Sequence, residues 1–184
     1  RTVTLPDDWS VSRPWSESPV WYRMRFDVPT AMQGQRLAIL VERACSNAMV
    51  WLNGELLHQV GRMDEPISRR CRQPIHLPLT AAQLRKADNV LDIRLAGYPI
   101  QKVGSDDRTG GLSVVELGRA DHIATKANRA ETARVDLPRT TSFAFWLLGT
   151  LMLLLGRVHR RESHLLYFGM LMLAVGVHLT RQWW

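Results

Sequence analysis

The sequence lacks the motifs that usually indicate catalysis or metal binding. It has no HExxH, no CxxC, no histidine pair at metal-ligand spacing and no GxGxxG or GxxxxGK phosphate loop. It has two cysteines, and no Ser-His-Asp or Cys-His constellation can be assembled from its residues. We therefore predict no catalytic residue and no metal site, and we leave open whether a longer protein would be an enzyme.

The chain also lacks an unbroken run of the roughly 20 apolar residues that cross a bilayer. Two shorter runs, at 143–156 and 165–179, flank the polar turn RVHRRESH. Flanking Thr and Ser at 140–142 and Trp at 183–184 can lengthen both runs, and the first contains only Thr150 as a polar side chain. A soluble helical pair would need polar faces at helical spacing. We therefore predict a transmembrane helical hairpin at 140–184, with spans at about 140–157 and 164–181, as the start of a larger membrane domain.

A concentrated basic surface for nucleic acid is missing as well, although the net charge is +7. From position 140 onward four Arg and one Glu contribute +3, which leaves +4 for residues 1–139. The one dense cluster, Arg69, Arg70 and Arg72, has no nearby aromatic residue on which a base would stack. We expect no nucleic-acid partner.

The orientation of the hairpin is less strongly indicated by charge. Three Arg in the turn at 157–164 favour the cytoplasm, but four basic residues between 126 and 139 nearly balance them. Folded domains are translocated largely regardless of charge. We expect residues 1–139 to be extracytoplasmic; in a Gram-negative bacterium this would be the periplasm, with the hairpin in the inner membrane. Arg1 begins in polar sequence, so we also expect that a signal peptide was removed or that the chain was trimmed.

Residues 1–125 have the pattern of many short strands. Residues 126–139 form a connector, for which a strand, a helix and a hinge all stay open. The segment 20–28 alternates, with Tyr22 and Met24 on one face and Trp21 and Arg23 on the other. Asn53-Gly54 between two apolar runs predicts a tight hairpin turn. Further strands are predicted at 36–42, 47–52, 74–77, 89–95 and 112–117. This spacing of strands predicts an antiparallel sandwich or barrel.

Three segments in order carry a family resemblance: WYRMRFDVP, AMVWLNGELL and ADNVLDIRLAG. Over residues 9–118 they resemble the galactose-binding-like domain at the N-terminus of family-two glycoside hydrolases. The resemblance implies a mainly β fold, an antiparallel jelly-roll sandwich, followed here by two transmembrane α-helices. It implies carbohydrate binding without catalysis, and it leaves a structural Ca²⁺ open, with Asp106 and Asp107 as oxygen ligands or as residues of a solvated loop. No other cofactor is predicted.

With the hairpin included, the order GRMDEPISRRCRQPIHLPL, GGLSVVELG, a connector, an apolar span, RRES and a second span with YFG is similar to bacterial membrane-bound sensors of the seven-transmembrane diverse-intracellular-signalling type. This resemblance implies the sensory front end of a receptor, a homodimer, and a cytoplasmic histidine kinase or diguanylate cyclase beyond Trp184. Its partners would be a small ligand such as a carbohydrate, or a periplasmic protein, together with membrane lipid. The alternatives are a membrane-tethered carbohydrate-binding or structural module without signalling, and a membrane-anchored hydrolase fragment.

A ligand site for sugars or small anions needs exposed aromatic rings and planar polar groups. Trp9 and Trp15 lie among Ser, Pro and Asp and are expected to be exposed or packed at an edge, whereas Trp21 and Trp51 are expected in the core. The loops at 61–72 and 105–110 supply the polar groups. The candidate ligand-binding residues are Trp9, Trp15, Arg62, Asp64, Glu65, Arg69, Arg70, Asp107 and Arg108.

Cys45 and Cys71 leave two alternatives open. Outside the cytoplasm they can form a disulfide that would stabilise the fold by about 3 kcal/mol. Cys45 lies at a strand entry and Cys71 in a basic loop, so two unpaired thiols remain the other alternative.

Overall fold

The chain divides into two compact units, which are described separately. In the computed structural model the described residues are 2–64, 67, 71–104, 109–159 and 162–183. The first unit comprises Arg1–Ala130 and the second Glu131–Trp184.

The first unit is built mainly from short antiparallel strands. In chain order the strands are β1 Asp7–Asp8, β2 Val20–Phe26, β3 Leu37–Val41, β4 Ala44–Cys45, β5 Asn47–Leu52, β6 Glu55–Val60, β7 Ile75–Leu79, β8 Asn89–Ala96, β9 Gly111–Leu112 and β10 Val115–Arg119. A four-residue helix α1, Trp9–Ser12, follows β1, and helix α2, Ala120–Glu131, follows β10. The strands predicted from alternation and apolar runs are confirmed to within a few residues.

The strands form three antiparallel sheets with the orders β2-β8-β5-β6, β10-β3-β7 and β1-β9-β4. Alternating residues of the two larger sheets point into one shared apolar core. In the four-stranded sheet Tyr22 pairs with Ile93, and Ile93 pairs with Val50, so that one row of inward side chains crosses three strands. Leu77 of β7 belongs to the same core from the other sheet. The core thus lies between the two sheets.

Strand β3 is buried on both faces, so it shows no alternation of burial. Ile39 and Val41 point to the central core, whereas Ala38 and Leu40 form a second apolar cluster with Ile123 and Ala127 of α2. Helix α2 therefore belongs to the packing of the first unit.

The turn between β5 and β6 is the hairpin that the sequence predicts. Asn53 and Gly54 have φ values of 54° and 90°, and Leu52 pairs with Glu55. Asn53 also links the turn to β8 and to the chain before it. Its amide nitrogen donates to the Gln83 carbonyl oxygen at 2.8 Å, and its amide oxygen accepts from the Val90 N–H at 3.0 Å.

The second unit is a pair of long helices, α3 at Leu137–Val158 and α4 at Ser163–Trp183. Glycines of each helix face the other: a Cβ on Gly149 would lie 3.0 Å from the Gly169 carbonyl oxygen, and one on Gly156 would lie 2.8 Å from Leu166 Cδ2. Thr132–Asp136 are π-helical, and helical conformation continues without interruption from Ala120 to Val158. By length and composition, the helices Ala120–Val158 and Ser163–Thr180 are both apolar enough to cross a membrane.

Candidate functional site

The small sheet β1-β9-β4 brings together the ends of the two loops that supplied candidate ligand residues. Cys45 of β4 pairs with Gly111 of β9, directly after the loop at 105–110. Cys45 is also bonded to Cys71, near the end of the loop at 61–72. The described ends of both loops therefore lie at the same edge of the first unit, and we refer to this region as the loop end.

The loop at 61–72 is attached to the sheets at three separate points. Its Arg62 carbonyl oxygen accepts a hydrogen bond from the buried Asn47 side chain, and its Ile67 carbonyl oxygen accepts one from the Tyr98 hydroxyl at 3.2 Å. The disulfide with Cys45 is the third attachment. Of the two alternatives for the cysteines, the structure contains the bridge. These contacts hold the described residues Arg62, Ile67 and Cys71 against the first unit.

Among the candidate ligand residues, Arg62, Asp64 and Trp15 have exposed side chains. Trp15 is 65% exposed and lies next to Pro14, whose carbonyl oxygen accepts from the Ile100 N–H at 3.0 Å. Another contact of this segment is the Lys102–Glu17 ion pair at 2.9 Å. Trp15 is thus placed beside the chain that enters the 105–110 loop. Glu65, Arg69, Arg70, Asp107 and Arg108 lie outside the described residues.

Trp9 is buried, so the prediction that it is an exposed aromatic was wrong. The side chain is 1% exposed, and its ring lies so close to Gly110 that a Cβ there would overlap it. Its indole N–H donates to the Tyr22 hydroxyl at 2.7 Å. The polar neighbours of Trp9 in the sequence suggested exposure, but they belong to a segment that the β1-β9 pairing draws onto the core.

A buried polar network lies beneath the loop end. The Tyr22 hydroxyl donates to Asp7 Oδ2 at 2.5 Å, and the Arg13 guanidinium donates to the same oxygen at 2.6 Å. Arg13 also covers the Trp9 ring at 5.6 Å from its centroid. Burial and the hydrogen bond to Asp7 raise the pKa of Tyr22, so the phenol stays neutral near pH 7. The network fixes the N-terminal segment against β2.

The end of the loop at 105–110 is fixed in the same way. Thr109 is buried, and its hydroxyl donates to Asp8 Oδ1 at 3.4 Å. The same carboxylate oxygen accepts from the Ser10 N–H at 2.9 Å and caps the short helix α1. Both ends of the predicted ligand region are therefore held by side chains that the sequence analysis did not select.

The prediction of a structural Ca²⁺ remains open. Asp106 and Asp107, its candidate ligands, lie outside the described residues. Within the described ranges, no group of three or more His, Cys, Asp and Glu side chains gathers in a way that would hold a metal ion.

Sequence analysis also missed an aromatic surface on the outward face of the four-stranded sheet. Trp21 is 58% exposed and Trp51 is half-buried, so their prediction as core residues was wrong. The two rings lie 4.9 Å apart between centroids and are tilted by 31°. The signal was present in the alternation of β2, which places Trp21 on the same face as Arg23 and Arg25. The core prediction instead followed the general tendency of Trp to be buried.

Comparisons with known proteins identify no family for this chain. No family model matches it, and no curated protein matches it. Similar solved structures include a Bifidobacterium dentium β-glucuronidase complexed with coumarin-3-O-glucuronide, at 28% identity over 42% of this chain and 11% of that chain, with a TM-score of 0.34. A β-glucuronidase from an uncultured Clostridium has 19% identity over 52% of this chain and 16% of that chain, with a TM-score of 0.40.

A family-2 glycosyl hydrolase from Bacteroides cellulosilyticus has 19% identity over 65% of this chain, with a TM-score of 0.44. The present chain spans 17% of that protein's length. These neighbours belong to the hydrolase family whose N-terminal domain the sequence resembles. All of these TM-scores lie below 0.5, so these neighbours assign no function to this chain.

Proposed function

We propose that this chain is the ligand-binding, membrane-anchored front part of a bacterial signalling receptor. In this proposal residues 1–130 form an extracytoplasmic jelly roll, and α3 and α4 are the first spans of a membrane domain in the inner membrane. The observation that carries the proposal is the distribution of side-chain size around α3 and α4.

The outward faces of α3 and α4 carry large apolar side chains. The exposed ones include Phe143, Leu147, Leu151, Leu154, Phe168, Met170, Leu171 and Val177. The sides that face each other carry the glycines, as described above. A soluble helix pair is expected to bury its large apolar residues and expose polar ones. Close packing through small residues with apolar groups outside is instead typical of helices in lipid.

The jelly-roll assignment is supported by the two antiparallel sheets with a shared core and by the sequence resemblance over residues 9–118. The loop end supports ligand binding, because an exposed Trp15 lies near the 105–110 loop and because contacts at Ile67 and Cys71 hold described parts of the polar loop at 61–72. A small sugar or anion would stack on the indole and use polar side chains of the loop as hydrogen-bond partners.

The uninterrupted helical conformation from Ala120 to Val158 supports a relay to the membrane. Ile123 and Ala127 of α2 pack on β3, so a ligand that changes this packing would act on the same helix that enters the bilayer. Such a ligand must bind one conformation of the receptor more tightly than the other. A histidine kinase or a diguanylate cyclase would be the output, and a homodimer would be the signalling unit.

Anchoring and orientation are tested in bacterial membranes with an N-terminal epitope on the full chain. We expect the chain to stay in the membrane after carbonate extraction. We also expect protease to remove the epitope from spheroplasts and to leave it intact in sealed inverted vesicles. Release by carbonate would show a soluble helix pair, and cleavage in inverted vesicles would show the opposite orientation.

The relay is tested by joining residue 184, through one added transmembrane span that returns the chain to the cytoplasm, to a histidine kinase reporter and inserting one to four alanines after Glu131. Each inserted residue rotates the following helix by about 100°. A relay predicts that kinase activity varies with the helical period of about 3.6 residues. Equal activity for all insertions would favour the alternative, a membrane-tethered binding or structural module without signalling.

A further inference from the structure

We propose that the outward face of the four-stranded sheet, around Trp21 and Trp51, binds an anionic sugar chain of the uronate class. This aromatic surface lies on β2, β8 and β5, whereas the candidate site described above lies at the loop end. The inference depends neither on the relay nor on the loops.

Strand register places the aromatic and charged groups in two neighbouring rows. One row contains Trp21, Arg94 and Met49, and the other contains Arg23, Asp92 and Trp51. The two indoles lean across β8 and touch each other, with 4.9 Å between ring centroids. Most of the Trp21 side chain nevertheless remains exposed. The aromatic surface is therefore open along the rows. An open surface suits an extended ligand better than a small ligand that needs an enclosing pocket.

The charge of this surface is unbalanced in favour of an anion. Asp92 is engaged by Arg23 in two parallel hydrogen bonds, of 2.7 and 3.0 Å. Among the described residues, no carboxylate lies within ion-pair distance of Arg25 or Arg94. The positive charges of Arg25 and Arg94 are therefore not neutralised by direct ion pairs with described carboxylates. Planar guanidinium groups match carboxylates through paired hydrogen bonds.

The Arg94 guanidinium carbon lies 5.9 Å from the Trp21 ring centroid. A uronate ring has an apolar C–H face that can stack on an indole and a carboxylate at its rim. Because Arg94 lies over the Trp21 ring, a uronate that stacks on the exposed part of the two indoles brings its carboxylate within reach of Arg94. A neutral sugar would use only the indole. A second copy of the same face would bring like charges together, which opposes self-association.

The test uses the full chain in nanodiscs and isothermal titration with a hexamer of galacturonic acid, with neutral maltohexaose as the comparison. We expect the uronate hexamer to bind at least tenfold more tightly than the neutral one. We also expect its affinity to fall as the salt concentration rises, because an exposed ionic contact is screened. Equal affinity for the two hexamers, or no binding of either, would overturn the proposal.

Substitutions test whether the uronate hexamer binds at the aromatic surface. Trp21→Ala and Trp51→Ala are expected to weaken uronate binding about tenfold, as loss of one aromatic contact of about 1.4 kcal/mol would do. Arg94→Gln keeps both indoles and should remove the preference for the uronate over the neutral hexamer. Arg36→Gln, which removes an exposed guanidinium outside this surface and outside the loop end, serves as the matched control for Arg94→Gln and should leave affinity unchanged.

The thermal midpoint of each variant shows whether it is folded, and Trp21→Phe replaces Trp21→Ala if the latter is not. Unchanged uronate affinity in folded Trp21 and Arg94 variants would place binding elsewhere and overturn the proposal. The same conclusion would follow if neither hexamer bound while a cross-linker at Leu56, beside Trp51, captured an acidic protein.

Discussion

At the scale of single residues, polar atoms rather than apolar contacts decide how the ends of the first unit are held. Asp7 is almost fully buried, yet it accepts hydrogen bonds from both Tyr22 and Arg13. Asn89 is also fully buried. Its side-chain oxygen accepts from the Arg85 N–H at 2.8 Å, and its side-chain nitrogen donates to the Arg85 carbonyl oxygen at 2.7 Å. Buried polar groups that are fully paired in this way specify one arrangement, since each alternative leaves a group unsatisfied.

Tyr22→Phe removes the hydroxyl that joins Asp7 to Trp9. Because hydrogen bonds to a charged group are the stronger kind, we expect the free energy of unfolding to fall by about 2 kcal/mol. Urea unfolding followed by tryptophan fluorescence measures the change. Tyr167→Phe, at an exposed position of α4, is the control and should have no effect.

The same hydroxyl makes stability depend on alkaline pH. The raised pKa of Tyr22 means that the folded protein holds the phenolic proton more tightly than the unfolded chain does. Its contribution is complete below the ordinary tyrosine pKa of about 10 and is lost as the pH rises above that value. An ultraviolet titration should therefore show one tyrosinate that forms late in the wild-type chain and is missing in Tyr22→Phe.

Asn53→Gly keeps the positive φ of the hairpin turn and deletes only the side-chain hydrogen bonds. We expect it to lower the free energy of unfolding by about 2 kcal/mol, since the Gln83 carbonyl and the Val90 N–H lose their partner. Gly54→Asn, at an exposed position with positive φ, is the control and should cost less than about 1 kcal/mol. Equal losses in both variants would mean that backbone conformation alone explains the turn.

Cys71→Ser is expected to destabilise the first unit by about 3 kcal/mol, because the bridge to Cys45 closes a loop of 26 residues. Mass spectrometry of the alkylated wild-type chain without reductant should detect no free thiol. Reductant should lower the unfolding midpoint of the wild type and leave that of Cys71→Ser unchanged. Two alkylated cysteines in the unreduced protein would contradict the bridge.

At the scale of elements, the strands were predictable where the alternation of side chains reflects one buried and one exposed face. This holds for β2, and the Asn-Gly turn likewise predicted the hairpin of β5 and β6. It does not hold for β3, because α2 covers its second face and removes the alternation. Neighbouring elements, which no local pattern encodes, decided that difference.

The helix pair is expected to depend on the glycines at its interface. Gly149→Leu places a side chain where a Cβ alone would lie 2.8 Å from Leu173 Cγ and 3.0 Å from the Gly169 carbonyl oxygen, so the helices must separate. The expected result is a lower midpoint of thermal unfolding in nanodiscs, followed by circular dichroism. Ala144→Leu makes a similar enlargement on the exposed side and should change little. Equal loss in both would argue against close glycine packing.

At the scale of the whole molecule, the core of the first unit closes within residues 1–130. We therefore expect a fragment 1–130 to fold in water without lipid, with the β signal of the full chain and an unfolding midpoint within a few degrees of it. A fragment 1–119 lacks α2 and uncovers Ala38 and Leu40, so it should be less stable or aggregate. Aggregation of both fragments would show that the first unit needs the second.

The sequence by itself determined the strand positions, the hairpin turn and the two apolar helices, because alternation, turn residues and run length are local properties of the chain. It did not determine which tryptophans are buried. Trp9 is buried because β1 pairs with β9 across about 100 residues of sequence, and Trp21 is exposed because the outer face of its sheet carries no covering element among the described residues. Tertiary structure alone assembled the network of Asp7 and Tyr22, the bridge of Cys45 and Cys71, and the aromatic surface. These depend on contacts between distant residues, which the order of the residues does not display.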